Sequence, residues 1–172
     1  VLDELHRPYQ VPVIFPQLRE ELCKLLVSDR PRDIVTLYEL GLTQVFLPEF
    51  DIMMSCEQNT PHHMYTVGMH SVEGICLAPN DLILRLVMLL HDIAKPEMKT
   101  TSEDGRDHFL NHPIVGAERA REIMHRLRFD NETTRKVVRL VRYHDERPRL
   151  TKESVRKTIV KIGVDAFPDF FV

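Results

Sequence analysis

At 172 residues, 43% of them hydrophobic and 28% charged, the chain carries enough apolar side chain for one sizeable core and too little for two. Its formal net charge of -3 conceals an asymmetry: fourteen Lys and Arg stand against six Asp and Glu between Arg119 and Lys161, whereas residues 1–118 hold nine against eighteen. A uniformly charged protein is therefore excluded, as is a helical membrane span, because no apolar run approaches the roughly 20 residues such a span needs.

Periodicity makes the chain helical almost throughout. Pro16 suits the first turn of a helix reaching Val27, striped by Leu18, Leu22, Leu25 and Leu26 and closed by Ser28-Asp29. Asp29 and Pro31 open a second helix that runs through Ile34, Leu37 and Tyr38 to Gly41, a residue suited to a helix C-terminus. Pro48 ends a short segment after it. Residues 57–61 read as a loop and 65–76 as a helix with His70 in its middle. Asn80 or Asp81 then caps a helix that is apolar on nearly every face up to Leu90, and such a helix belongs at the centre of the core.

Beyond Pro96 the pattern changes. Asp104-Gly105 is a dipeptide that turns a small β-hairpin or a solvent loop, placing an insertion near residues 97–110. Asn111 or Pro113 opens a helix striped by Ala120, Ile123, Met124 and Leu127. Another runs from Asn131-Glu132 to His144 with Val137, Leu140 and Val141 inward, and a last one starts at Thr151 and closes near Gly163. Cys23, Cys56 and Cys76 are odd in number and widely spaced, which argues against a disulfide framework or a zinc knuckle and for small buried hydrophobes. Arg135, Arg139 and Arg142 recur at helical spacing on one stripe, either a solvated face or a phosphate-binding surface for RNA.

The chemistry concentrates on histidine and aspartate. The apolar helix ends in His91-Asp92, and an acid beside a base at the end of a buried helix is costly unless something compensates. A divalent metal does so with mixed nitrogen and oxygen ligation. His70 on the preceding helix is the natural partner, and His112 and His144 either complete a second metal position or hold a phosphate. Lys95, four residues after His91, is placed to neutralise a substrate phosphate. His62 and His63 fall in a loop where contact with substrate is open to them, whereas His6, His108 and His125 read as surface residues.

The string from Glu57 through Pro61-His62-His63-Met64 to Met69-His70, followed by Leu89-Leu90-His91-Asp92-Ile93-Ala94-Lys95-Pro96, resembles the HD superfamily of metal-dependent phosphohydrolases. Within it the chain is similar to the HD domain of bacterial CCA-adding tRNA nucleotidyltransferases, with further matches at Asp107-His108-Phe109-Leu110-Asn111-His112 and Val141-Arg142-Tyr143-His144-Asp145. Residues 1–54, through Leu42-Thr43-Gln44-Val45-Phe46-Leu47-Pro48-Glu49, resemble the RNA-contacting neck of those enzymes, and residues 55–172 the HD domain.

The resemblance implies an all-α bundle in which His70, His91 and Asp92 hold a divalent ion (Mn, Mg, Ni, Co, Fe or Zn), and Asp92 and Lys95 serve hydrolysis. The implied substrate is a phosphomonoester or phosphodiester of a nucleotide or an RNA end, with tRNA among the candidate partners. The expected setting is the cytoplasm. The family's nucleotidyltransferase head is missing from these residues, so the chain reads as a fragment or a standalone relative. The fourth carboxylate ligand is Asp145, or Asp165 or Asp169, or lies beyond Val172. Ala94 stands where the motif usually has glycine. The competing reading is an RNA-binding neck and body whose HD site is vestigial.

Overall fold

In the computed structural model, residues 11–59, 65–149 and 151–164 are described, with side chains from residue 14 onward. Helices α1 (Val11–Leu26), α2 (Ile34–Glu39), α3 (Thr43–Phe46) and α4 (Pro48–Ser55) form the first part, with a 3₁₀ turn at Pro31–Asp33 before α2. The second part contains α5 (Val67–Leu77), α6 (Leu82–Leu90), the short α7 (Lys95–Met98), α8 (His112–Arg126), α9 (Asn131–Tyr143) and α10 (Lys152–Ile162). Strands β1 (Thr100–Thr101) and β2 (Asp107–His108) pair antiparallel, with Thr101 opposite Asp107. The architecture is the expected all-α bundle with a small hairpin.

Local chemistry sets most of the boundaries. The side chains of Thr66, Asp81, Asp130 and Thr151 accept hydrogen bonds from first-turn amides of α5, α6, α9 and α10, filling donors that a helix start leaves open. Gly41 takes φ +71° just after α2, as a helix end of this kind requires. One boundary departs from expectation: α1 begins at Val11, so Pro16 lies inside the helix and not in its first turn. Pro48 both closes the segment before it and opens α4.

A single apolar core runs through both parts. It joins Leu22, Leu26, Ile34, Leu47, Phe50 and Met53 to Val72, Ile75, Leu86, Leu90, Ile123, Met124, Val137 and Val141. Polar ties reinforce the junction. The buried Arg85 guanidinium of α6 donates to the carbonyls of Leu26, Ser28 (3.1 Å) and Pro79 (3.2 Å), filling acceptors that the end of α1 leaves open. Arg126 of α8 forms a two-pronged pair with Glu49 of α4, at 2.8 and 2.6 Å. The cysteines are unpaired and partly exposed, less buried than their spacing suggested.

The topology gathers one end of the bundle. Helices α8 and α9 are joined by a short turn containing Arg128 at φ +61°, so the start of α8 lies beside the end of α9. The end of α6 packs against α9, and α5 lies against α6. His112, His144 and His91-Asp92, distant from one another along the chain, thereby meet with His70 at one place.

Candidate metal centre

Asp92 is the hub. Its carboxylate is 1% exposed, and its two oxygens face different partners. Oδ2 lies 3.1 Å from His91 Nε2, 3.9 Å from His70 Nε2 and 2.8 Å from the Lys95 ammonium. Oδ1 lies 3.3 Å from His112 Nε2 and 3.6 Å from His144 Nε2. Two sets of potential metal ligands result, His70–His91–Asp92 and Asp92–His112–His144, each with its ligand atoms within 4.8 Å of one another and with Asp92 common to both.

Three rings are oriented by the same device. Nδ1 of His91 lies 2.9 Å from the Met88 carbonyl, Nδ1 of His112 2.7 Å from that of Phe109, and Nδ1 of His144 2.8 Å from that of Val141. A carbonyl only accepts, so each Nδ1 carries the proton, and in the neutral ring Nε2 is left as a lone pair. All three Nε2 atoms point toward Asp92, and those of His112 and His144 are 3.2 Å apart. Acceptors thus face acceptors. Neither Asp92 oxygen receives a well-aligned hydrogen bond despite full burial. A donor set of imidazole nitrogens and carboxylate oxygens, fixed from behind by carbonyls, fits a divalent ion.

Protons on Nε2 are the alternative way to reconcile these groups. Burial pushes the Asp92 pKa up, but positive charge on His91 and hydrogen bonds from the rings of His112, His144 and His91 outweigh it and hold the carboxyl well below its ordinary value. A metal ion would displace those protons.

Lys95 is 8% exposed and fully engaged. Besides its ion pair with Asp92, its Nζ donates to Gln58 Oε1 at 3.0 Å and sits 5.3 Å from the centre of the Phe109 ring. Gln58 and Phe109 carry no chemical signature of their own, and only the strings around them matched a family. The wall beside them is a strap between the hairpin and residues 57–59. Asp107 accepts from the Asn59 amide (2.7 Å), Thr101 Oγ1 (2.7 Å) and Lys99 Nζ (2.9 Å), while Asn59 Nδ2 donates to the Gly105 carbonyl (2.6 Å). These donors, the Asn59 amide first, hold the Asp107 pKa at about 2.

The centre opens into a cleft of about 550 Å³ whose rim includes His108, Leu110, Pro113, Asp145 and Arg147. Asp145 is exposed, and its carboxylate is outside both ligand sets. Asp165, Asp169, His6, His62 and His63 lie outside the described residues. His108 is exposed with Nε2 3.2 Å from Ser102 Oγ. Arg135, Arg139 and Arg142 share a second cleft, also about 550 Å³, with Arg121, His125 and Lys161. There Arg139 donates to the Ile162 carbonyl at the end of α10 (2.8 Å), and the Arg142 guanidinium stacks over Tyr143.

Known proteins share these features. Residues 62–163 match the HD domain family, and residues 18–54 match the family described as the probable RNA and SrmB-binding site of polymerase A. The chain is 34% identical over 160 residues to the CC-adding tRNA nucleotidyltransferase of Thermus thermophilus, covering 89% of this chain and 36% of that one. It is 37% identical over 135 residues to the A-adding tRNA nucleotidyltransferase of Deinococcus radiodurans, covering 74% and 31%. A bifunctional uridylyltransferase/uridylyl-removing enzyme of Ruegeria pomeroyi is 31% identical over 135 residues, 66% of this chain and 14% of that one. The chain spans about a third of the length of the two tRNA enzymes. With the histidine and aspartate cluster at the end of the apolar helix and a match across most of its length, this chain belongs to the HD-domain family.

Proposed function

We propose that this chain is a metal-dependent phosphohydrolase of the cytoplasm acting on a phosphomonoester or phosphodiester of a nucleotide or an RNA end. The observation that carries the reading is the convergence of three carbonyl-oriented Nε2 lone pairs on the two buried oxygens of Asp92. His70, His91 and Asp92 would hold one divalent ion, and Asp92, His112 and His144 a second. When bound, such an ion supplies Lewis acidity toward a phosphoryl oxygen and lowers the pKa of water.

The chain's own residues do the rest. The carbonyls of Met88, Phe109 and Val141 keep the imidazoles in the ligating tautomer, and Lys95 balances the charge of Asp92 from a position fixed by Gln58. The cleft, about 550 Å³, is large enough to admit a phosphoester. A relative named for removing uridylyl groups is consistent with this chemistry. Protein stripped by chelator should recover hydrolysis of bis(4-nitrophenyl) phosphate when Mn²⁺ or Co²⁺ is restored. Failure with every divalent ion, in protein that retains its helicity, would refute the assignment.

A second reading has its own support. The match of residues 18–54 to an RNA-binding family, the tRNA enzymes among the relatives and the basic cleft of α8 to α10 favour tRNA as a partner. Salt-sensitive tRNA binding without hydrolysis by any metal-loaded form would make RNA binding the principal role.

A further inference from the structure

We propose that Arg147 is the side chain that grips the substrate's phosphoryl oxygens at the metal cleft, a role for which Lys95 is badly placed; the proposal rests on the phosphohydrolase reading above. Among the described residues lining that cleft, Lys95 and Arg147 alone carry a permanent positive charge. The Lys95 ammonium is buried, paired with Asp92 at 2.8 Å, bonded to Gln58 at 3.0 Å and roofed by the Phe109 ring. To reach a substrate it would have to give up the contacts to Asp92 and Gln58 that hold it inward. Arg147 is exposed on the cleft wall, and its guanidinium makes no hydrogen bond or ion pair among the described residues.

The backbone explains why Arg147 faces inward. After α9 the chain leaves the helix, and residues 146–149 have no regular structure. Asp145 and Arg147 both line the cleft, whereas Glu146 between them pairs with Lys161 of α10 at 2.7 Å, and its amide donates to the Tyr143 carbonyl at 2.9 Å. Glu146 is thus held on α10, while Asp145 and Arg147 on either side of it remain on the cleft wall. Pro148 disfavours helical backbone at Arg147, so the chain does not resume the helix there. Arg147 lines the same cleft as the members of both ligand sets, and its planar fork of donors suits the oxygens of a phosphoryl group bound there.

The specificity that follows is for a phosphoester with at least two accessible non-bridging oxygens. Exposed Leu110, on the same rim, offers an apolar surface to the group the phosphate carries.

The test uses the full chain loaded with Mn²⁺, comparing the unsubstituted protein with Arg147→Gln and Arg147→Lys. Metal content and melting temperature are measured first, then inorganic phosphate binding by calorimetry, then hydrolysis of bis(4-nitrophenyl) phosphate. Arg147→Gln should keep its metal and its melting temperature, bind phosphate about tenfold more weakly or worse, and raise KM more than it lowers kcat; Arg147→Lys should recover part of the affinity. Equal phosphate affinity in the unsubstituted protein and Arg147→Gln overturns the proposal, as does the absence of phosphate binding in the unsubstituted protein. Phosphate binding that depends on Arg147 without any hydrolysis supports the anion grip and sinks the phosphohydrolase reading. Hydrolysis indifferent to Arg147 does the reverse.

Discussion

His112 and His144 meet through their Nε2 atoms at 3.2 Å, although 32 residues separate them and each ring has its Nδ1 proton held by a carbonyl three residues earlier. Two lone pairs do not attract. The pair therefore needs a cation between or beside its rings, a proton or a metal ion, and Asp92 Oδ1 stands ready to share it.

Removing a ligand should empty the site without unfolding the bundle. His91→Ala and Asp92→Ala are expected to lose retained metal, and His112→Ala and His144→Ala to lower metal affinity by about tenfold or more, all with near-native helicity. Elemental analysis beside circular dichroism checks this. Full metal occupancy in Asp92→Ala would show that the ion is held elsewhere.

Asp145 gives the contrasting case. Its exposed carboxylate lies outside both ligand sets, so Asp145→Asn is expected to retain metal as well as the unsubstituted protein does. Competition with a chromogenic chelator measures the affinity, and release of metal by this one substitution would make Asp145 a ligand after all.

Helix α5 presses closely on α4 at Gly68, where an added Cβ would stand 2.6 Å from Met54 Sδ and 2.7 and 2.8 Å from the Met54 backbone nitrogen and Cα. Backbone cannot rotate away as a side chain can. Gly68→Ala should cost about 1–3 kcal/mol by chemical denaturation and, by shifting α5, displace His70 two residues on and weaken metal binding. An unchanged denaturation midpoint would mean that the two helices separate freely.

The hairpin strap should respond to acid. Asp107 titrates at about 2 in the folded protein, below the ordinary carboxylate value, so its contribution is complete above that ordinary value and is lost as pH falls toward 2. The protection factor of the Asn59 amide, its exchange measured against the intrinsic rate at each pH, should therefore fall between about pH 4 and pH 2, and Asp107→Asn should remove that dependence. A protection factor that stays constant throughout this range in the unsubstituted protein would contradict the strap.

The basic cleft bears on the RNA reading. If Arg135, Arg139 and Arg142 engage phosphates, replacing all three with Gln should weaken tRNA binding and reduce the log-log salt slope by about 0.7 to 0.9 for each phosphate no longer neutralised. An unchanged slope would leave the stripe with the structural work already visible in the bond from Arg139 to Ile162 at the end of α10.

Much of this was legible in the sequence, because helices announce themselves locally. The Asp81 and Thr151 caps, the all-round apolar α6 and the Asp104-Gly105 turn follow from short-range propensity, and the His91-Asp92 doublet marked the candidate metal site. The start of α1 was misplaced since Pro16 gives the same local signal in a first turn as within a helix that packing sustains. The cluster is different in kind. That Asp92 divides its oxygens between two histidine sets, that Lys95 turns inward to Asp92 and Gln58, and that Arg147 reaches the cleft while Glu146 turns to Lys161 depends on how α5, α6, α8 and α9 cross. Residue spacing fixes which face of one helix a side chain occupies, but only packing between helices fixes which other side chain that face will meet.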